Sequence, residues 1–195
     1  MAVVVVGGQA RKIGKTRLIC GLIAALPERQ WTAIKITDHA HGLASGQEFA
    51  ITEERDPSGA SDTARFLQAG ASRALLVSSR PGHLTAALPE LRRALAAAGN
   101  AILESNSVMR FLRPDVYLLV VDGSVAGVKE SAREFLELAT AVVILRGDPA
   151  KRDEFSPAWI AGKEVFGARP SKHVSPELVE FVRRRLTDVP LRWLG

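Results

Sequence analysis

Cysteine is nearly absent from this sequence, because the 195 residues include only Cys20. A single cysteine cannot form an internal disulfide and excludes metal sites built from paired cysteines, so we expect a reducing compartment. Aromatic residues make up 6%, and no zinc-finger or basic-helix pattern is present, which argues against a nucleic-acid-binding module. The longest apolar run, Leu18 to Leu26, is too short to span a membrane, and no basic leader precedes Val3. We therefore expect a cytoplasmic protein with no membrane partner.

The overall composition is that of an ordinary globular protein with a modest excess of positive charge. Hydrophobic residues make up 47% and charged residues 24%, which excludes wholesale disorder. The net charge of +5 permits an anionic partner such as a nucleotide, a nucleic acid or an anionic membrane, without choosing among them. We expect one domain over residues 1–195, in which 146–195 form a less regular extension.

Short apolar strands alternate with helical stretches along most of the chain. This order is typical of an α/β protein, in which helices cover both faces of a mostly parallel sheet. The predicted strands are Val3–Val6, Thr32–Ile36, Ala74–Val77, Ala101–Leu103, Val116–Val121 and Ala141–Leu145, with a further strand at Glu164–Gly167. The predicted helices are Lys15–Leu26, Ser61–Ala69, Leu84–Ala98 and Val128–Leu138, and a last helix begins at Ser175-Pro176.

Glycines and polar residues indicate where these elements end. Gly70 and Gly99 follow helical stretches at positions where C-caps are expected. The stretch from Ala40 to Ala60 is rich in Gly, Glu and Ser, and we expect it to be a long surface loop.

The strongest functional signal lies at the start of the chain. The first strand is followed by Gly7-Gly8-Gln9-Ala10-Arg11-Lys12-Ile13 and then by Gly-Lys-Thr at the start of a helix. In a phosphate-binding loop, or P-loop, backbone N–H groups wrap an anion, the lysine reaches the β- and γ-phosphates and the hydroxyl binds Mg²⁺. Here Gly14 permits the close approach, Lys15 supplies the charge and Thr16 supplies the metal ligand.

The loop departs from the strict P-loop pattern in its spacing. Position 9 would need glycine where the chain has Gln9, and counting from Gly8 leaves five intervening residues instead of four. The strand before the loop and the helix after it still favour a P-loop over a tight turn that merely contains Gly-Lys-Thr. We therefore predict that a nucleotide is bound by Gly8, Gln9, Lys12, Ile13, Gly14, Lys15, Thr16 and Arg17.

A P-loop also needs a carboxylate near the end of a neighbouring strand to hold Mg²⁺. Four acidic residues are candidates, namely Asp38, Asp62, Glu104 and Asp122. Hydropathy favours Asp122, because Leu118-Leu119-Val120-Val121 precedes it, and ranks Glu104 next.

The order of these motifs resembles a known family, the molybdopterin-guanine dinucleotide biosynthesis protein B family. It is an accessory GTP-binding family of molybdenum-cofactor maturation, in the P-loop class that includes dethiobiotin synthetase. Besides the P-loop, the resemblance covers Ala33-Ile34-Lys35-Ile36-Thr37-Asp38-His39-Ala40-His41, Ser61-Asp62-Thr63-Ala64-Arg65 with Ala69-Gly70-Ala71, and Ile102-Leu103-Glu104-Ser105. It extends over roughly the first 105 residues. Ser105 stands where the family has glycine, and no Asn-Lys-x-Asp guanine motif follows the last strand.

The resemblance implies a three-layer P-loop NTPase fold and a set of site residues. Lys35 and Asp62 would line the nucleotide and metal site, and Glu104 would hold or orient Mg²⁺ or water, which places it above Asp122. We therefore predict Lys15, Lys35 and Glu104 as catalytic residues and Thr16, Asp62 and Glu104 as metal ligands. The implied cofactors are Mg²⁺ and either GTP or ATP. The family also implies a homodimer and a partner protein of cofactor biosynthesis.

The histidines after the second strand have two open interpretations. His39 and His41 could bind a phosphate, a substrate or, with Asp38, a metal ion, or they could be ordinary surface residues. Cys20 is expected to be a buried, inert thiol on the first helix.

Three functions stay open for the whole protein. They are slow Mg²⁺-dependent NTP hydrolysis, ATP-dependent transfer to a small molecule by a kinase or ligase, and nucleotide binding by a non-catalytic adaptor.

Overall fold

The computed structural model describes residues 1–39, 43–125, 129–146, 160, 162–168, 174–186 and 191–194. Its strands are β1 (Ala2–Gly8), β2 (Trp31–Thr37), β3 (Phe49–Glu54), β4 (Arg73–Ser79), β5 (Asn100–Glu104), β6 (Leu112–Arg113), β7 (Val116–Val121), β8 (Ala141–Ile144), β9 (Glu164–Gly167) and β10 (Arg192–Trp193). Its α-helices are α1 (Lys15–Ala25), α2 (Asp62–Gln68), α3 (Leu84–Ala96), α4 (Glu130–Glu134) and α5 (Pro176–Arg185). Short 3-10 helices lie at Pro27–Arg29, Ser107–Arg110 and Leu136–Leu138.

Eight of the strands form one sheet in the order β3-β4-β2-β5-β1-β7-β8-β9. Every neighbouring pair is parallel except β3 and β4, which are antiparallel. β6 and β10 form a separate antiparallel pair. The carboxyl ends of β2, β5, β1 and β7 therefore lie side by side at one edge of the sheet, which is where open parallel sheets bind their ligands.

The first strand is buried along its whole length, which explains its continuous run of valines. Val3 and Val5 belong to one hydrophobic core, whereas Val4 and Val6 belong to the other. Successive side chains of a strand point to opposite faces, so both faces of the sheet must be covered. Helices α3 and α4 cover the first face, and α1, α2 and α5 cover the second. The predicted three-layer α/β arrangement is confirmed.

The expectation of a surface loop at residues 40–60 is wrong in part, because β3 lies within it. β3 pairs with β4 at the outer edge of the sheet, where it is only partly buried. Glu53 and Glu54 end the strand, and the guanidinium of Arg73 on β4 donates two 3.0 Å hydrogen bonds to Glu53. An edge strand with a solvated face tolerates such charges, so its sequence resembles that of a loop.

Two predicted helix ends are also corrected. Gly70 follows the C-cap of α2 with a φ of 102°, as predicted, but α3 is capped by Ala97, two residues before Gly99. The helix predicted at Val128–Leu138 has its first position outside the described residues, and its α-helical part ends at Glu134. The adjacent residues Phe135 and Leu136 are both buried, and the tighter turn that follows packs both against the core.

The C-terminal part contains the two elements predicted for it. The strand at Glu164–Gly167 is confirmed as β9, at the edge of the sheet beside β8. α5 begins at Pro176, and its N-cap Ser175 accepts a 3.2 Å hydrogen bond from the backbone N–H of Leu178. The short β10 was not predicted, since two residues form no readable pattern.

Candidate functional site

The loop between β1 and α1 turns sharply into the helix through Gly14. Gly14 is the N-cap of α1 with a φ of 96°, in the left-handed region that side chains rarely adopt. A Cβ atom there would also lie 2.6 Å from Cδ1 of Leu145. The chain can therefore enter α1 in this conformation only with glycine, and the first N–H groups of the helix face the loop.

Lys15 folds back over the start of the same loop. Its aliphatic chain lies against Gly8, where an added Cβ would come within 2.9 Å of Cδ of Lys15 and 2.8 Å of Cδ1 of Ile13. Its ammonium group donates a 2.9 Å hydrogen bond to the carbonyl of Ala10. Burial lowers the pKa of Lys15, Glu104 partly offsets this, and nearby lysines lower it further. Gly8 thus leaves the space that lets the ammonium group reach across the loop.

Four polar side chains from four different elements meet beside this ammonium group. The hydroxyl of Thr16 on α1 donates a 2.7 Å hydrogen bond to Oε2 of Glu104, at the end of β5. Lys35 on β2 lies 3.1 Å from Oε1 of the same carboxylate and forms a second ion pair with Asp62 at the start of α2. Residues that are far apart in sequence therefore form one connected cluster.

The charged groups in this cluster stabilise one another in their ionised forms. Burial alone would lower the pKa of Lys35, but Glu104 and Asp62 together outweigh burial and raise it above its ordinary value. Burial would likewise raise the pKa of Asp62, yet the neighbouring Lys35 ammonium holds it below its usual range. Lys35 is therefore a fixed cation between two carboxylates, and Asp62 is ionised at neutral pH.

Asp122, the carboxylate that hydropathy ranks first, has a different environment. Its Oδ1 accepts hydrogen bonds from the backbone N–H and the hydroxyl of Ser124, at 2.9 and 2.6 Å. Its Oδ2 lies 3.6 Å from the guanidinium of Arg146. Thr16 therefore contacts Glu104 and not Asp122.

Gln9 is buried, and each of its polar groups has a protein partner. Its side chain donates to the carbonyl of Val125 at 2.8 Å and accepts from the N–H of Asp122 at 2.9 Å. Its backbone N–H binds the carbonyl of Val120, and its carbonyl binds the N–H of Lys129. The geometry gives Gln9 a structural role, tying the loop to the chain after β7, in place of the predicted contact with a nucleotide.

These elements surround a cavity of about 710 Å³ at the carboxyl edge of the sheet. Among the predicted nucleotide-binding residues, all but Gln9 line it, as do Lys35, Asp62 and Glu104. Eight cationic side chains face four carboxylates around it. Four of the cations come from the loop and α1, namely Arg11, Lys12, Lys15 and Arg17, and the other four are Lys35, Arg65, Lys129 and Arg146. An anionic ligand suits this excess of positive charge.

Sequence reasoning missed several residues of this cavity, among them Asn106, Lys129 and Arg146. Asn106 holds Gly8 by two hydrogen bonds, accepting from its N–H at 2.7 Å and donating to its carbonyl at 3.0 Å. Lys129 and Arg146 line the side of the cavity formed after β7 and β8. Asn106 stands two residues after Glu104, so its strand-end position was readable, whereas the two cations belong to no motif.

The histidines and Cys20 contribute less than the loop. His39 lines the cavity beside the exposed Asp38, and His41 lies outside the described residues. Within the described ranges, no group of three or more His, Cys, Asp or Glu could hold a metal ion by itself. Cys20 is only partly buried, contrary to expectation, and its thiol donates a 3.4 Å hydrogen bond to the carbonyl of Arg65. Burial raises its pKa, as expected of an unreactive thiol.

No protein-family model and no curated protein match this sequence. Among solved structures, HypB from Helicobacter pylori, in complex with nickel, is similar with a TM-score of 0.53 at 12% identity, over 97% of this chain and 91% of that one. LpxK from Aquifex aeolicus, in complex with ATP, is similar with a TM-score of 0.51 at 17% identity, over 86% of this chain and 53% of that one. MobB from Bacillus subtilis aligns over 97% of this chain and 100% of that one, at 18% identity and a TM-score of 0.44.

The first two similarities show the fold, which is that of P-loop NTPases. The chain spans about half of the length of the LpxK structure. A TM-score below 0.5, as for MobB, does not establish a shared fold. In the described part of the chain, no helix has the length and apolar character to cross a bilayer.

Proposed function

We propose that this protein binds a nucleoside triphosphate with Mg²⁺ in the cavity above the P-loop and hydrolyses it slowly. The observation that carries the proposal is the hydrogen bond between Thr16 and Glu104 beside the ammonium group of Lys15. A P-loop requires this combination, in which a helix-start hydroxyl, a strand-end carboxylate and a lysine converge on one side of the loop.

The residues present fit a magnesium ion that is shared with a nucleotide. Thr16, Glu104 and Asp62 offer hard oxygen ligands, but two carboxylates and a hydroxyl do not form a complete protein cage. Mg²⁺ is usually held by one or two carboxylates together with phosphate oxygens and water, which matches this incomplete set. Bound Mg²⁺ would neutralise phosphate charge and orient the phosphates.

The protein's own groups have distinct tasks in this proposal. Lys15 and the N–H groups that follow Gly14 bind the phosphates, and the pairing of Lys35 with Asp62 and Glu104 keeps a second cation at a fixed position. Glu104 can retain Lys35 through Oε1 while Oε2, released by Thr16, accepts a hydrogen bond from a water molecule. In that arrangement Glu104 orients the water molecule, and no further carboxylate side chain is required.

The proposed physiological role is an accessory one in molybdenum-cofactor biosynthesis. Its support is the ordered resemblance of the P-loop and of the segments containing Lys35, Asp62 and Glu104 to the protein B family. The same resemblance supports a homodimer and a partner protein of that biosynthesis. The nucleotide is GTP or ATP, since the described end of β8 offers no guanine-recognition motif.

A second candidate function is that of a small-molecule kinase or ligase. The cavity extends beyond the phosphate cluster to Asp38, His39 and Arg65, which lie on the β2 and α2 side. These groups could position an acceptor. Release of the diphosphate in proportion to an added acceptor would favour this function over hydrolysis.

Calorimetric titration with GTP and ATP, with and without Mg²⁺, tests the proposal. We expect Mg²⁺-dependent binding that is lost in Lys15→Ala, with the fold retained by circular dichroism. Arg93→Ala is the matched control, because Arg93 is an exposed cation on α3, away from the cavity. Failure of both nucleotides to bind the wild type would refute the proposal, and binding without any turnover would point to a non-catalytic adaptor.

A further inference from the structure

One cation of the cavity belongs to a segment that no sequence motif marks. Lys129 immediately precedes α4, after the chain has left β7, and its side chain lines the same cavity as Lys15 and Lys35. It lies on the side of the loop opposite to the Lys35 and Asp62 pair, because β7 and β2 flank β1 and β5 from opposite sides.

Hydrogen bonds at two positions hold the segment 129–131 against the start of the P-loop. The backbone N–H of Lys129 donates a 2.8 Å hydrogen bond to the carbonyl of Gln9. Asn106, which binds Gly8 at both its N–H and its carbonyl, also donates a 3.3 Å hydrogen bond to the hydroxyl of Ser131. The backbone of Lys129 is therefore fixed relative to the loop, although its side chain is exposed.

The side chain of Lys129 differs from Lys35 in its charge environment. Lys35 is neutralised by two carboxylates, whereas among the described residues no carboxylate forms an ion pair with Lys129. The charge of Lys129 is close enough to Lys15 to contribute to the lowered pKa of Lys15. Two like charges that a fold holds near each other favour an anion that contacts both.

The position of Lys129 along the P-loop indicates which part of a bound anion its side chain contacts. The helix start at Gly14 lies at one end of the loop, whereas the backbone N–H of Lys129 binds Gln9 at the other end. The ammonium group of Lys15 reaches toward that same end, 2.9 Å from the carbonyl of Ala10. The lysine of a P-loop contacts the β- and γ-phosphates, so a cation beside it lies near the terminal phosphate.

We propose, building on the function proposed above, that Lys129 binds the terminal phosphate of the nucleoside triphosphate and allows the site to prefer a triphosphate over a diphosphate. A charge-assisted contact with a phosphate oxygen is worth about 10- to 100-fold in affinity. Because the contact involves only the last phosphate, its loss should affect triphosphates selectively.

The test compares Lys129→Ala, Lys129→Gln and Lys129→Arg with the wild type by calorimetric titration in Mg²⁺. The probes are the non-hydrolysable imido analogues of GTP and ATP, and GDP and ADP. We expect Lys129→Ala and Lys129→Gln to weaken triphosphate binding at least about tenfold and diphosphate binding less than about twofold. Lys129→Arg should retain most of the preference, since it keeps the charge. Arg133→Ala is the matched control, an exposed cation one turn further along α4, and should change neither affinity.

The outcomes separate this inference from the proposed function. If the wild type binds both classes of nucleotide but the Lys129 variants lose neither or lose both equally, the assignment of Lys129 is wrong and the proposed function stands. If the wild type binds no nucleotide, the proposed function fails and the assignment fails with it. Unchanged thermal unfolding midpoints of the variants would show that a selective loss comes from the missing charge.

Discussion

The hydroxyl of Thr16 donates a 2.7 Å hydrogen bond to Oε2 of Glu104, which joins the first turn of α1 to the end of β5. The two residues are 88 positions apart in the sequence. The contact depends on the register of the sheet, in which Val6 of β1 is paired with Glu104 of β5. The strand that leads into the P-loop thereby determines which carboxylate stands beside it.

Thr16 provides the most direct test of the metal site. We expect Thr16→Ala to lose most of the stimulation of nucleotide binding by Mg²⁺, because the hydroxyl is the only ligand that α1 supplies to the site. Thr16→Ser keeps the hydroxyl and should retain the Mg²⁺ dependence. Titrations with and without Mg²⁺ measure both variants, and equal Mg²⁺ dependence in Thr16→Ala and the wild type would contradict the assignment.

Lys35 should be important for stability as well as for the site. Replacing it by methionine leaves the buried carboxylate of Glu104 without its cation, and we expect a loss of about 2–4 kcal/mol in the free energy of unfolding. Urea denaturation measures this loss. Arg73→Met is the control, because Arg73 pairs with Glu53 on the exposed edge of the sheet and should cost about 1 kcal/mol or less. Similar losses in the two variants would show that Lys35 is no more than a surface partner.

The lowered pKa of Lys15 leads to a prediction about pH. Only the protonated ammonium group binds phosphate well, and burial together with nearby lysines makes the free protein release this proton below the ordinary lysine pKa. Nucleotide affinity should therefore fall as the pH rises, and the fall should begin below the ordinary pKa of a lysine. Titrations at a series of pH values measure it. Lys15→Arg remains charged throughout, so any binding that it retains should be less sensitive to pH.

Gln9 should affect both the stability of the protein and its nucleotide affinity, because its side chain holds the P-loop in place. In Gln9→Leu, the buried N–H of Asp122 and carbonyl of Val125 lose their partners, and we expect a loss of about 2–4 kcal/mol in the free energy of unfolding. Nucleotide affinity should fall as well, because loss of the side-chain bonds would loosen the loop, including the backbone carbonyl of Gln9 that binds the N–H of Lys129. Gln47→Leu is the control, because Gln47 is exposed, and it should change stability by less than about 0.5 kcal/mol. Wild-type stability in Gln9→Leu would disprove the structural role.

The predictable parts of the fold are those with strong local patterns. β1 and β7 are buried on both faces and read as uninterrupted apolar runs, so they were predicted within two residues of their observed ends. β3 was missed because it is a partly exposed edge strand that ends in Thr52, Glu53 and Glu54, a composition that is also typical of a polar loop. α4 was predicted too long, because the tight turn at Phe135 and Leu136 depends on the core into which both residues pack.

The sequence by itself determined the alternating α/β order and the P-loop with Lys15 and Thr16, since a buried strand, a glycine turn and a helix start are local features of the main chain. Its resemblance to a known family added Lys35 and ranked Glu104 above Asp122, and the structure brings Lys35, Asp62 and Glu104 together. Only the tertiary structure decided that Gln9 is a structural tie and that Lys129 lines the cavity. Both facts depend on the parallel pairing of β1 with β7, which brings the chain after β7 against the P-loop. Strand order and register arise from the packing of the whole sheet, and no local pattern encodes them.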